Sequence, residues 1–366
     1  MRYRGALMHV RVLVVANMYP SPATPYYGAF VKSHVERLEQ DPRFRVRVAA
    51  IRDPRKGWLR SPWKYGSLFT DLVRELAQFR PHVVHYHYAL PTALLGPAVE
   101  LCSGIRYAIT LHGGDLWEMP QRIPKGATLL RHVLSHASHL IVVSEAMAHD
   151  LTQFMGEEPR RLSVINMGID TTRFVAAPPA SPARLLVVGQ LIARKGGDIA
   201  IRALAEARRA QPDLGLTFVG AGPERSTWEQ LARNLGVGAA VQFAGVVAPE
   251  AMPHVMAEHG TLLVPSRREP LGLVALEGMA VGLTVIASRT GGLAELIHDR
   301  DNGILVTPED PGALAQAILL TQATSQSLRT TMQERAHLTA QANDVSHKVR
   351  EVAEILLRIG RGTGIE

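Results

Sequence analysis

Cysteine is nearly missing from these 366 residues: Cys102 stands alone, so no disulfide can close within the chain. That suits a reducing compartment. No apolar run approaches the roughly 18 residues that a membrane-crossing helix needs. The opening "MRYRGALMHVRVLVVANMYP" starts with charge and turns apolar, but Arg11 interrupts the run and no small-residue cleavage site follows Val15. It reads as a first strand and not as a secretion signal. The expected location is therefore the cytoplasm. No recognised nucleic-acid module is present, so no nucleic-acid partner is expected despite the net charge of +7.

Acids are also scarce, but only in places. Residues 1–180 carry a net charge of +8 and the remainder −1. The excess peaks in "RFRVRVAAIRDPRKGWLRSPWKYG", where Arg43, Arg45, Arg47, Arg52, Arg55, Lys56, Arg60 and Lys64 face the single acid Asp53, with Trp58 and Trp63 interleaved. Basic residues with tryptophan suit an anionic membrane surface or an anionic substrate. A solvated loop is the plainer reading of the same segment.

The length exceeds the usual size of one hydrophobic core, which predicts two domains. Both halves alternate β-branched runs with helical patterns. "VRVLVVAN", "RVRVAAI", "PHVVHYH", "YAITLHG" and "HLIVVS" read as strands, and "GAFVKSHVERLEQ" and "SLFTDLVRELAQF" as helices. In the second helix Leu68, Leu72, Val73, Leu76 and Phe79 fall at helical spacing, and Ser144 stands where it caps the helix after "HLIVVS". "FVAAPPASPA", Phe174 to Ala183, reads as an interdomain linker, rich in proline and alanine without periodicity. The alternation then restarts with "RLLVVGQ". The fold class is α/β, two doubly wound parallel sheets in tandem, with domains at 1–177 and 178–344. A last helix over 345–366 carries Val345, Val349, Val352, Leu356 and Ile359 on one stripe.

Several motifs sit at strand ends, where open α/β sheets bind ligands. "VGAGPER" starts like a dinucleotide fingerprint, but Arg225 stands at the third glycine position, and two glycines alone are a weak signal. "GQLIARKGG" joins a strand to a helix and offers Lys195 beside free backbone N–H groups, an anion site without the Walker A pattern. "LHGGD" places His112 at a strand's carboxyl end. In "HYH", His85 and His87 share one side of a strand. A metal would need a third ligand, and no companion stands near them in sequence, so they read as hydrogen-bonding cleft residues. "DRDNG" reads as a turn before a strand and not as a metal site.

The stretch "VPSRREPLGLVALEGMAVG" sets Glu269 and Glu277 eight positions apart among apolar and small residues. Pro270 and Gly272 predict a helix starting near Leu271, with Glu269 in the preceding loop and Glu277 inside the helix. The N–H groups of Leu271, Gly272 and Leu273 would face a phosphate. One ligand fits all of this, a nucleotide sugar, whose hydroxyls suit two carboxylates that lack a basic partner each. The plain alternative is an acid favouring the helix dipole plus an exposed Glu277.

From Val10 to Val306 these motifs resemble the retaining glycosyltransferases of the family numbered four, which have the GT-B fold, two Rossmann-like domains facing a central cleft. "GAFVKSHVERL", "TLHGGD", "VGQL", "RKGG", "FVGAGPE" and above all the Glu269–Glu277 element carry the likeness. The "GAFV" opening looks most like bacterial cell-envelope and polysaccharide transferases, such as the teichuronic-acid type. The resemblance implies that Glu277 binds ribose hydroxyls, Glu269 the donor sugar and Lys195 the diphosphate. It further implies that Leu271, Gly272 and Leu273 cradle phosphate, that Gly245 and Val246 lie beside the base, and that His112 stands near the reaction centre. Gly28 would line a loop near diphosphate and acceptor, grouped here with His85 and His87, and the last helix would return to the first domain.

Two departures bear on the site. Gln190 stands where the family has arginine, with Arg194 near enough in sequence to compensate, and "MGID" replaces Asn-Gly-Val-Asp. The implied activity is transfer of a sugar from a nucleotide sugar, uridine being the favoured base, to a sugar or lipid-linked hydroxyl acceptor in cell-envelope polysaccharide or glycolipid synthesis. Retention, no cofactor and no divalent metal are expected, and the basic segment suggests peripheral binding at the inner membrane face. An epimerase or phosphorylase of the same fold, or a catalytically silent sugar-binding relative, remains the alternative.

Overall fold

The structure, a computed structural model, describes residues 9–52, 62–178 and 180–362. Its contacts divide the chain into two units, Met1–Met167 with Val345–Glu366, and Gly168–Asp344.

In the first unit six parallel strands form one sheet: β1 (Val10–Ala16), β2 (Phe44–Ala50), β3 (Val83–His87), β4 (Arg106–Leu111), β5 (His139–Val142) and β6 (Leu162–Val164). Their spatial order is β2-β1-β3-β4-β5-β6. The order reverses between β1 and β3, so the loops leaving those two strands diverge and open a crevice at their carboxyl ends. β3 is buried at every position, as a central strand covered on both faces must be. The helix Val345–Arg361 closes this unit, with Val345, Val349, Val352, Leu356 and Ile359 buried in a core shared with Val10, Val12 and Val83. Ser144 caps the helix Glu145–Met155 by accepting from the Met147 N–H at 3.3 Å. Val73 departs from the expected stripe: it is 60% exposed, while Leu68 and Leu72 are buried.

The second unit repeats the plan with β7 (Arg184–Val188), β8 (Gly215–Val219), β9 (Val241–Gly245), β10 (Thr261–Val264), β11 (Thr284–Ser288) and β12 (Ile304–Val306), all parallel. The order β12-β11-β10-β7-β8-β9 is the Rossmann order, and its switch point lies between β7 and β10. The "VGAGPER" glycines have a packing cause. A Cβ on Gly220 would lie 1.9 Å from the Gly189 oxygen, and one on Gly222 2.2 Å from the Leu191 oxygen. The loop after β8 thus lies directly against the loop after β7. Asp299–Gly303 forms the expected turn into β12, with Asn302 buried and bonded to the His298 N–H.

The proline-alanine stretch does not behave as a linker. Phe174 is buried, Ala177 donates to the Val281 oxygen at 3.0 Å, and the Pro182 oxygen accepts from Thr261 Oγ1 at 3.0 Å and Gln322 Nε2 at 2.8 Å. These bonds tie it to the second unit, so the contacts divide the chain after Met167 rather than after residue 177.

The basic segment is also less free than its composition suggests. Arg43 pairs with Asp41 and Glu354, and Arg47 with Glu75, acids remote in sequence or outside the segment. Arg55, Lys56, Trp58 and Arg60 lie outside the described residues.

Leu356 is fully buried under the first sheet. Leu356→Ala is expected to cost about 2–5 kcal/mol, read as a lower denaturant midpoint for the first unit.

Candidate donor site and histidine cluster

At the switch point of the second sheet, the loop after β7 carries Lys195 and the loop after β10 carries Glu269. Lys195 Nζ donates to Glu269 Oε2 at 2.6 Å, and Ser266 Oγ donates to the same oxygen at 2.9 Å. Glu269 is 6% exposed. Burial pushes its carboxyl up, but the charge and hydrogen bond of Lys195 and the bond from Ser266 outweigh that and hold it below the ordinary carboxylate range. Glu269 therefore does have a basic partner, contrary to the reading of two acids without one. The cause is topological: residues 74 apart in sequence meet because β7 and β10 are neighbours.

A second clamp holds the two loops in register. Arg267 forks onto Asp198 at 2.9 and 2.7 Å, pairs with Glu309 at 2.9 Å and donates to the Ala193 oxygen at 2.6 Å. The Arg267 N–H also donates to the Arg194 oxygen, and Arg194 Nη1 to the Arg268 oxygen. Such bidentate guanidinium–carboxylate pairs fix orientation as well as distance. Arg267, Asp198 and Ser266 were missed in the sequence. The only signals were the serine and arginine just before Glu269 and the aspartate just after "KGG".

The helix Leu273–Val281 starts two residues later than expected, capped by Gly272 at φ +93°. A Cβ there would meet Leu293 Cδ2 at 2.5 Å, so glycine is required both for the left-handed turn and for the space. The helix's first-turn N–H groups, Leu273 among them, have no preceding carbonyl within the helix and are the groups an anion would take. Leu271 and Gly272 form the approach and are buried. Glu277 lies in the helix, half-buried. Burial pushes its carboxyl up to about 7, with Arg173 pulling the other way. Gln190 is exposed at the end of β7, Gly245 ends β9, and Val246 beyond it is 45% exposed.

In the first unit, Gly28 caps the helix Ala29–Glu39 at φ +73°. His112 follows β4. Its N–H donates to the carboxylate of Asp115, which also accepts from Ala89 N–H. Burial pushes the Asp115 carboxyl up to about 6 and the His112 imidazole down to about 3, so His112 is neutral at physiological pH. His112 Nε2 lies 3.1 Å from His87 Nδ1. His85 and His87 do share one side of β3, but both are fully buried and not cleft residues. The third imidazole that the sequence did not show is His34, on the helix after Gly28. It escaped notice because helix and strand meet only in the fold.

Two tandem doubly wound sheets carry, around the switch point of the second, a paired lysine and glutamate, a helix start and a second acid. The family profile described as "Glycosyl transferases group 1" matches residues 168–338, and that of "Glycosyltransferase Family 4" matches residues 8–173. The chain belongs to glycosyltransferase family 4 and has the GT-B fold. It is 29% identical to a GDP-mannose-dependent alpha-(1-6)-phosphatidylinositol monomannoside mannosyltransferase of Mycolicibacterium smegmatis, over 86% of this chain and 85% of that one. A D-inositol 3-phosphate glycosyltransferase of Acidothermus cellulolyticus is 33% identical, over 64% of this chain and 58% of its own length. Among solved structures, sucrose-phosphate synthase from Thermosynechococcus elongatus superposes with a TM-score of 0.81 at 20% identity, covering 97% of this chain and all of that one. The Anabaena protein HepE, solved with UDP-glucose, gives 0.74 at 21% identity, covering 95% of this chain and 100% of that one.

Two outcomes follow from the acids. Lys195→Met strands the buried Glu269 carboxylate without its ammonium and is expected to cost about 3–5 kcal/mol in chemical denaturation, most of it recovered in the double variant with Glu269→Gln. Glu277 holds its proton to about pH 7 when folded, against an ordinary 4.5. Its stabilising proton uptake is thus complete below about 4.5 and lost as pH rises through 7. Glu277→Gln is expected to match the wild type in thermal melts near pH 4.5 and to melt higher at pH 8.

Proposed function

We propose that the protein is a retaining, metal-independent hexosyltransferase that moves a sugar from a nucleotide-sugar donor to a hydroxyl acceptor of a cell-envelope polysaccharide or glycolipid. The observation that carries the reading is the convergence of Lys195, Glu269 and the Leu273–Val281 helix start at one switch point. In this reading the donor diphosphate takes the helix N–H groups and draws Lys195 toward it. Glu269, still held by Ser266, turns its free acceptor sites to the sugar hydroxyls. Glu277 takes the ribose diol, for which the ionised carboxylate is the better acceptor. The exposed Val246 packs against the base and Gly245 gives it room. Gln190 adds a neutral hydrogen-bonding group where a second cation would be expected, and Arg194 supplies the charge.

In this reading His112, neutral, with its ring bonded to His87 and its backbone N–H to Asp115, offers the sugar a hydrogen-bonding group and not a proton donor of the charged kind. Gly28 belongs to the loop for diphosphate and acceptor. The acceptor hydroxyl attacks on the face from which the diphosphate leaves, and the departing phosphate oxygen takes its proton. The protein's contribution is orientation and stabilisation of the leaving charge. An inverted anomeric centre in the product, read by NMR, would rule out this mechanism, and a requirement for added Mg2+ or Mn2+ would rule out metal independence.

Uridine is the first choice of base. GDP-mannose is the second reading, favoured by the mycolicibacterial relative whose name specifies that donor. Arg11, Arg45 and Arg47, the last paired with Glu75, line a groove with Glu39, Phe44 and Phe79, and Arg45 is exposed. We assign this face to anionic lipid at the inner membrane surface. Vesicle co-sedimentation that does not change with anionic lipid content would refute that assignment. Among the described residues no helix is long and apolar enough to cross a membrane.

A panel of UDP- and GDP-sugars, assayed for thermal shift and turnover, is expected to show one donor stabilising the protein. With that donor, Glu269→Gln and Lys195→Ala are expected to lower turnover about 10²–10³-fold. Glu277→Gln is expected mainly to raise the donor KM and to abolish its fall between pH 6 and 8. Unchanged turnover in the first two variants would instead support a silent binding relative, and an epimerised donor would support the epimerase.

A further inference from the structure

His34, His85 and His87 form a cluster in the interior of the first unit, of which the glycosyl-transfer reading uses only the His87 bond to His112. One ring nitrogen from each lies within 4.8 Å of the others, and the ring centroids are 4.5–5.8 Å apart. All three residues are at most 2% exposed. His34 has no hydrogen-bond partner at either ring nitrogen, His85 none at Nδ1 and His87 none at Nε2. A buried polar atom without a partner costs about 1–3 kcal/mol, and here there are four in one place.

The partners that do exist decide what fills the cluster. His85 Nε2 lies 2.8 Å from Thr110 Oγ1, and His87 Nδ1 lies 3.1 Å from His112 Nε2. If those nitrogens carry the protons, His85 Nδ1 and His87 Nε2 each present a bare lone pair, and His34 presents one in either neutral tautomer. With the His34 lone pair turned inward three lone pairs converge, and a metal ion takes all three where a water molecule has protons for two. With the His34 N–H turned inward a water would donate to His85 and His87 and accept from His34, and a metal-free wild type is the outcome that this arrangement gives. An imidazole whose outer nitrogen is tied to a hydroxyl or another ring is also the arrangement that orients metal-binding histidines.

We propose that His34, His85 and His87 bind a zinc-class transition-metal ion as a structural centre of the first unit. Neutral nitrogen donors without a carboxylate select zinc and its neighbours and not magnesium or calcium. At about 2.0–2.1 Å from each nitrogen a tetrahedral ion would hold the donors about 3.4 Å apart, closer than the 4.8 Å within which they lie without it. The pull of burial keeps all three imidazoles neutral, the form that coordinates. The ion lies away from the donor loops of the second unit in sequence and takes no part in balancing the diphosphate. Through His87 it fixes the Nδ1–H tautomer of that ring and so leaves His112 protonated at Nδ1. Any effect on turnover rests on the transferase reading, but ion binding does not.

The test is metal content of the untagged protein, grown with added Zn2+ and passed through metal-free buffer, measured by mass spectrometry. Wild type is expected to keep about one equivalent, and a Co2+-substituted sample to show the visible absorption of a tetrahedral nitrogen site. His34→Gln and His85→Gln are expected to lose the ion. Should His85→Gln fail to fold, His34→Gln, checked by circular dichroism, carries the test. The exposed pair His132 and His136, one helical turn apart with ring centroids 4.4 Å apart, is the adventitious chelate to exclude, so His132→Ala/His136→Ala is expected to keep the ion. Wild type without metal above background, or a His34→Gln variant that holds as much as wild type, would overturn the proposal whatever the outcome of the donor panel.

Discussion

The buried ion pair between Lys195 and Glu269 is the contact on which the second unit's site depends. A carboxylate this deeply buried persists ionised only because an ammonium and a hydroxyl meet it. That pairing requires the loops after β7 and β10 to stay in register, and the Arg267 fork onto Asp198 holds them so. The loops are neighbours only because the strand order reverses between those strands. The same reversal leaves a helix start facing the crevice. Fold and placement of charge are thus one construction, and the proposed anion site is part of it.

The two acids are tuned in opposite directions. Glu269 is held ionised by its neighbours, and Glu277 is held near neutrality by burial. A group kept away from its preferred ionisation is a cost to the empty fold, and such costs concentrate where ligands bind. The first unit shows the same economy in its histidines. Four imidazoles, His34, His85, His87 and His112, stack or abut around the end of β3, all neutral, with Asp115 holding the backbone N–H of His112.

Much of this was legible in the sequence. The strands of both sheets other than the three-residue edge strand β6, the helix carrying Glu277, the cap at Ser144 and the buried stripe of the final helix all follow from periodicity and end signals, which are local. Alternation of strands and helices gave the two tandem doubly wound sheets, and family likeness identified them with the GT-B fold. What escaped is what depends on contacts between remote segments. Lys195 meeting Glu269, Arg267 meeting Asp198, and His34 completing the pair on β3 bring together residues that no window of sequence contains. The stretch from Phe174 to Ala183 misled because proline and alanine mark a linker and a packed irregular segment equally well. Composition likewise overstated the basic segment, since the acids that pair with Arg43 and Arg47 come from elsewhere in the chain.

The most direct measurement of the central claim is a crystal structure with the intact donor that the panel selects. The account predicts the diphosphate on the N–H groups at the start of the Leu273–Val281 helix, the ribose hydroxyls on Glu277, the sugar hydroxyls on Glu269, and Lys195 moved from Glu269 to a phosphate oxygen. A donor bound away from this switch point, or bound there with Lys195 and Glu269 still paired and Glu277 untouched, would contradict it.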